Sequence, residues 1–264
     1  MYFKAATSML MMSLALTPTM INCEPVRALV YRGPTACDGC PESLRDLLVA
    51  TIPNIKVEFA GPKEKVKINA KSLKGVNILA QPGGPDLDAA WREARPYASD
   101  VRTWVANGGR YLGVCLGAFL AGHDSGFGLI PKGDRIQQEI TRPNPPIDDG
   151  SDIVTQIDWT FQTGRKKGKT ERHWAYFQDG TTFIRSSNSP AKVLGKYVSN
   201  GDVASVLNSY GKGWVANIGV HPEADQSWYD DAGITNPEGV QTEIGHDIVN
   251  ALMAAGSVRK ATAY

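Results

Sequence analysis

An excess of charge of either sign is missing from this chain. Its 264 residues carry 28 Lys and Arg against 27 Asp and Glu, a formal net charge of +1. That balance removes the electrostatic case for binding nucleic acid or an anionic membrane surface. Beyond residue 23 no run is long and apolar enough to span a bilayer. Cysteine is scarce, at four residues. Cys37 and Cys40 form a Cys-x-x-Cys, but no second pair of ligands accompanies them, which argues against zinc. No other metal-ligand spacing is visible, so neither metal nor cofactor is expected. Internal repeats, long low-complexity segments and permissive Asn-x-Ser/Thr sites are absent as well. What is present, 42% hydrophobic residues, suits one globular domain with a sizeable core, with or without a small appendage.

Residues 1–23 read as a signal peptide. Lys4 supplies a short basic region and Ala5 to Leu16 an apolar one, too short for a membrane span. Thr17-Pro18-Thr19 breaks it, with cleavage expected near Met20 to Cys23. Ile21-Asn22 fits a lipid-attachment signal at Cys23 poorly. The other reading is a peripheral N-terminal extension. Secretion is the expectation, with residues 24–264 as the folded domain and no membrane association once the signal is removed.

The domain alternates strand and helix. Val26 to Tyr31 is a short apolar strand of the kind buried in a parallel sheet. A helix follows from Glu42 to Thr51, then strands at Asn54 to Phe59 and Val76 to Ala80. Asp86-Leu87-Asp88 caps a helical region that breaks at Pro96 and ends at Gly108-Gly109. Residues 131–150 read as an irregular loop. From Ile153 the pattern turns to alternation, a β-rich excursion over about 151–190 before the last core strands. Val193 to Val198 and Val203 to Asn208 flank an Asn-Gly hairpin. A last strand runs from Trp214 to Val220, and a helix from Glu243 to Ala255 closes the domain. The Lys63 to Lys71 and Arg165 to Lys169 stretches read as solvated faces. Trp159, Trp174 and Trp228 read as core, with a pocket rim as the other reading.

Gly113-Val114-Cys115-Leu116-Gly117 has the pattern of a nucleophile elbow with sulfur in place of oxygen. A sharp strand-to-helix turn crowds the backbone on both sides of the nucleophile, which demands glycine there. The following helix aims free N–H groups at the sulfur, favouring the thiolate. The bland alternative is a buried cysteine at a Gly-containing strand end. His221-Pro222-Glu223 ends the last strand. In an extended segment His221 and Glu223 project to one side. The carboxylate can then hold the imidazole tautomer while the other ring nitrogen faces Cys115. The glycines of Gln81-Pro82-Gly83-Gly84 let backbone N–H groups approach a ligand. Cys37 and Cys40 sit at a strand-to-helix turn at the same sheet edge, either as a local disulfide or as a redox-active pair. His123 reads as a loop residue.

An elbow Gly-Val-Cys-Leu-Gly followed far downstream by Gly-Val-His-Pro-Glu resembles the class I glutamine amidotransferase superfamily. The nearer likeness is to the amidotransferase-like domain at the N-terminus of fungal biotin–protein ligases, in a stand-alone form. It covers roughly Val26 to Ala255, through Ala28 to Pro34, Gln81 to Asp86, the elbow, and Tyr210 to Glu223. The resemblance implies a doubly wound, mostly parallel, flavodoxin-like α/β sheet with a β-rich insertion. It implies Cys115 as nucleophile, His221 as base, Glu223 as orienting acid, and oxyanion donors near Gly83, Gly84 and at Leu116. One position departs from the pattern. Where glutamine-hydrolysing members carry Gln, this chain has Phe119, which favours a substrate less polar than glutamine. The related branch of intracellular proteases, with His directly after Cys, is disfavoured by Leu116.

The expected activity is a secreted cysteine hydrolase of a small amide. No synthetase partner is expected, since none is fused here. Two other readings stand beside it: a catalytically silent binding protein of the same fold, and a thiol oxidoreductase run by Cys37 and Cys40.

Overall fold

The computed structural model describes residues 24–256. The signal-peptide expectation for residues 1–23 falls outside them. In chain order the elements are β1 (Arg27–Tyr31), α1 (Cys40–Thr51), β2 (Lys56–Ala60), β3 (Ile78–Gln81), α2 (Leu87–Ala94), α3 (Ala98–Ala106), β4 (Arg110–Val114) and α4 (Leu116–Phe119). There follow β5 (Arg135–Gln138), β6 (Ile153–Thr160), β7 (Thr170–Phe177), β8 (Thr181–Ile184), β9 (Lys192–Tyr197), β10 (Val203–Tyr210), β11 (Gly213–Ile218), α5 (Gln226–Ala232) and α6 (Glu243–Ala254). Among the described residues no helix is long and apolar enough to cross a membrane.

A strand with apolar side chains on both faces must be covered on both. In β1, Ala28 and Val30 enter one core while Leu29 and Tyr31 enter the other, all buried. Leu44, Leu47 and Leu48 of α1 and Ile244, Ile248 and Leu252 of α6 fill the first core. Ala90 and Ala94 of α2 and Val101 and Val105 of α3 fill the second. Asp86 caps α2 by accepting from the Ala89 N–H at 2.9 Å. A turn of 3-10 helix at Arg95–Tyr97 absorbs Pro96.

The sheet has nine strands in the order β2-β1-β3-β4-β11-β10-β9-β6-β7. The first five run parallel, through the pairs β1·β2, β1·β3, β3·β4 and β4·β11. The rest pair antiparallel. This is the expected α/β sheet, wound on both faces. The 151–190 segment is not a separate excursion, however. β6 and β7 extend the main sheet, and only β8 leaves it, pairing with β5. Residues 131–150 are likewise not all loop, since they contain β5 and a 3-10 turn at Glu139–Thr141. The polar run Arg-Ile-Gln-Gln of β5 gives no period-2 apolar signal, so only its pairing with β8 reveals it. The far half also curls. An isolated bridge joins Tyr176 of β7 to His221, just past β11.

One buried carboxylate ties the two halves together. Asp247 of α6 is 4% exposed. It accepts from Trp159 Nε1 at 2.9 Å, the Gln162 N–H at 2.8 Å, and the Thr163 N–H and Oγ1 at 2.8 and 2.6 Å. Trp159 is thus core, as read from sequence. Asp247→Ala strands these donors and should cost about 3 kcal/mol or more. Denaturant unfolding should show the midpoint falling with little change in slope, and an unchanged midpoint refutes the anchoring role.

Candidate active site

The turn after β4 is the sharp one expected. Cys115 sits at φ 49°, ψ −110°, a region that a non-glycine residue enters only when its surroundings impose it. Its N–H is held by the Ile218 carbonyl at 2.9 Å. The flanking glycines are required by close approach. A Cβ at Gly113 would lie 2.5 Å from Asn217 Oδ1, and one at Gly117 would run into the Gln81 carbonyl oxygen. The helix that follows is a single turn, from Leu116 to Phe119. The chain folds back there, and the Phe127 N–H takes the Leu120 carbonyl at 2.6 Å. Gly122 and Gly126 supply the break.

His221 is fixed from three directions. Its N–H donates to the Tyr176 carbonyl at 2.8 Å. Its ring lies edge-on to Tyr176 and tilted against Trp228, with centroids 6.0 and 5.0 Å apart. Nδ1 meets Glu223 Oε1 at 2.9 Å. The two residues are only 3% and 4% exposed. Burial opposes protonation of the imidazole, but the Glu223 carboxylate and the Cys115 sulfur outweigh it and push its pKa up to about 10. The imidazole and the thiol are neighbours across Gly83. A Cβ built on Gly83 would lie 2.7 Å from His221 Cε1 and 3.6 Å from Cys115 Cβ. The thiol also points toward the Gln178 carbonyl oxygen at 3.7 Å.

Among the described residues, the N–H groups of Gly83, Gly84 and Leu116 donate to no protein acceptor. Gly84 and Leu116 line the same cleft as Cys115 and His221, and Phe119 stands in its wall. Gly84 packs so tightly on the Thr35 carbonyl oxygen that a Cβ there would collide with it. Gly84 and Leu116 therefore place two backbone donors without protein acceptors in the lining of the cleft that holds Cys115 and His221.

The cleft is open and encloses about 970 Å³. Cys37 lines it and forms a disulfide with Cys40, whose side chain is buried under the start of α1. His123 stays outside the cleft in a loop, with Nε2 3.2 Å from the Pro131 carbonyl oxygen. Sequence reasoning missed the far wall. Gln137 and Gln138 of β5, and Gln178 and Asp179 after β7, face the cleft across from the elbow. The one local signal there is Asp179-Gly180, a pair that by itself indicates only a turn. Away from the cleft, Glu171, His173 and Glu243 bring ligand-type atoms within 4.8 Å of one another. The Lys166 ammonium already bridges the two carboxylates, at 2.8 and 2.7 Å.

The likeness read from the motifs extends to known proteins. Residues 26–138 match the family model described as biotin-protein ligase, N terminal. A biotin–protein ligase of Schizosaccharomyces pombe is 25% identical over 219 residues, covering 75% of this chain but 33% of that protein. The chain thus matches about a third of its curated relative's length. Among solved structures, PurLQS from Thermotoga maritima aligns over 87% of this chain and 98% of that one, at 17% identity and TM-score 0.56. A glutamine amidotransferase from the same organism aligns over 87% and 96%, at 12% identity and TM-score 0.56. These structures share the amidotransferase-like fold.

Removing the Glu223 charge should lower the His221 pKa. In Glu223→Gln the imidazole should lose its proton at a lower pH than in wild type, followed by the His221 ring proton in NMR. The same pair predicts a stability profile. A raised histidine pKa stabilises fully below the unfolded value of about 6.5 and is lost as pH rises through about 10. Wild type should therefore lose more stability than Glu223→Gln between those limits. Equal losses contradict the coupling.

Proposed function

We propose that the protein is a cysteine-nucleophile hydrolase of small amides. The observation that carries this reading is Cys115 held at a strained elbow beside the buried His221–Glu223 pair. In the proposed sequence the Cys115 sulfur attacks the amide carbonyl. The N–H groups of Gly84 and Leu116 hold the oxyanion. His221, steadied by Glu223, protonates the leaving amine as the tetrahedral adduct collapses to a thioester. His221 then takes a proton from water, which attacks the thioester and frees the acid and the thiol. Phe119 in the cleft wall supports a substrate less polar than glutamine. No metal, nucleotide or synthetase has a part in this scheme.

Export is part of the proposal. It is supported by the basic and apolar pattern of residues 1–23 and by the Cys37–Cys40 disulfide, a bond that persists in oxidising compartments. Ligation is not carried over from the biotin–protein ligase.

Activity profiling on a panel of amides tests the reading. Cys115→Ala and His221→Ala should each lower kcat/KM by about a thousandfold or more, and Glu223→Gln by roughly 10²–10⁴. Iodoacetamide should label Cys115 first in native protein, with wild-type rates far above those of His221→Ala. A Cys115 that alkylates no faster than a free thiol removes the enzyme. Labelling of Cys37 or Cys40 first after mild reduction, with transfer of oxidation to a test disulfide, points to the oxidoreductase instead.

A further inference from the structure

The cleft sets a disulfide beside a free thiol. The described residues contain three cysteines, with Cys37 and Cys40 joined and Cys115 free. Cys37 and Cys115 both line the cleft. Between them lies Gly83. A Cβ built there would sit 3.3 Å from Cys37 Sγ, 3.6 Å from Cys115 Cβ and 2.7 Å from His221 Cε1. Glycine supplies no such atom, so no side chain at 83 separates the disulfide from the thiol and the imidazole. Cys37 Sγ and Cys115 Cβ are then no more than about 7 Å apart, a gap that must shrink for a bond to form. The Cys37 N–H donates to the Gly83 carbonyl at 3.1 Å. The other side of that loop, at Pro34, Asp38 and Gly39, is exposed.

Thiol–disulfide exchange needs an attacking thiolate, a sulfur it can reach and a leaving thiolate that is stabilised. Each has a counterpart here. His221 stands beside Cys115 and keeps its proton partly because of that sulfur, and an imidazolium is the neighbour an attacking thiolate needs. Of the two disulfide sulfurs, Cys37 is the one on the cleft, while Cys40 is buried. Attack therefore falls on Cys37, and Cys40 leaves. Cys40 is the first residue of the twelve-residue α1, directly after its Gly39 N-cap. The free N–H groups and dipole of that helix end favour a departing thiolate.

We propose that Cys115 exchanges with this disulfide and is reversibly locked by it. The Cys115 thiolate attacks Cys37 Sγ and forms a Cys115–Cys37 bond. The Cys37–Cys40 bond breaks, and its electron pair leaves on the Cys40 sulfur. Cys115 is oxidised and Cys40 reduced, so no outside oxidant enters. In the exchanged form the nucleophile is masked, and return attack by Cys40 on Cys37 frees it. Reduction of the Cys37–Cys40 bond by an outside thiol removes the acceptor and leaves Cys115 unlocked. The proposal rests on the nucleophile reading above and adds a redox control to the same site.

Mapping the cysteines tests this. In wild type with its disulfide intact and no reductant present, an alkylated Cys40 arises only through exchange. Slow treatment with iodoacetamide, followed by peptide mapping, should give two products. One carries alkylated Cys115, and the other carries alkylated Cys40 with Cys37 bonded to Cys115. In Cys115→Ser the Cys40 label should fall about tenfold or more. A second arm removes the leaving group. In Cys40→Ser, oxidised glutathione should drive Cys37 and Cys115 into a bond and release two reduced glutathiones, because a tethered thiol displaces bound glutathione faster than a free one does. Iodoacetamide labelling of Cys115 should then drop about tenfold or more and return on reduction. An unlabelled Cys40 in wild type, or glutathione that stays on Cys115 in Cys40→Ser, overturns the exchange. Rapid alkylation of Cys115 in those same samples leaves the nucleophile standing. A Cys37–Cys115 bond formed in Cys40→Ser, with Cys115 alkylating no faster than a free thiol, overturns the nucleophile and leaves the exchange standing.

Discussion

A carboxylate and an imidazole, buried together at the end of β11, set the terms for the rest of the molecule. Neither ion survives burial alone, since losing water costs each several kcal/mol and only mutual attraction repays it. His221 is held protonated against its burial by the Glu223 carboxylate and the Cys115 sulfur. The pair needs walls that exclude water without distorting its geometry. Pro222 stiffens the backbone between them. The Tyr176 carbonyl fixes the His221 backbone, and Tyr176 and Trp228 wall the ring.

Those walls explain why the antiparallel half of the sheet belongs to the site. A five-stranded parallel sheet presents its strand ends as an open edge, where ligands settle in doubly wound folds. Here β10, β9, β6 and β7 continue the sheet and curl it, until Tyr176 bridges to His221. Gln178 and Asp179 then close the cleft opposite the elbow. Asp247 carries the load at the other end, locking Trp159 and the Gln162-Thr163 turn to α6. Cys115, His221 and Glu223 come from the parallel half and much of their enclosure from the antiparallel half.

That division also explains what the sequence disclosed. Where one strand supplies both cores, as Ala28 to Tyr31 does, the apolar run is continuous and the parallel sheet can be read directly. The elbow and the His-Pro-Glu segment were equally plain, because tight turns and short-range pairs leave signatures within a few residues. The Asp86 cap and the Pro96 break were local too. Long-range pairing leaves no such mark. β5 is four largely polar residues, identifiable only through a partner 43 to 49 positions on, from Gln138 at Thr181 to Arg135 at Ile184. The bridge from Tyr176 to His221 spans two strand pairs that alternation alone cannot connect. The wall at Gln178 and Asp179 was hidden for that reason, although each strand leading to it was visible.

The crowding that makes the elbow also leaves polar atoms stranded around it. Gln81 and Asn217 stand on either side of Gly113, in register with it on β3 and β11. Gln81 Oε1, both amide atoms of Asn217 and Glu223 Oε2 are buried without a protein partner. Each such group costs about 1–3 kcal/mol. A core chosen for stability alone would place apolar side chains there. Such side chains could not sit over Gly113, where Asn217 Oδ1 already leaves no room for a Cβ. The strain at Cys115 and the orphaned amides lie together, where three strands pass closely beneath the turn after β4. The two apolar cores on either face of the sheet offset that cost. Concentrating unfavourable terms at one sheet edge, with well-packed cores elsewhere, is the distribution that the proposed reactive site would call for and that stability alone would not.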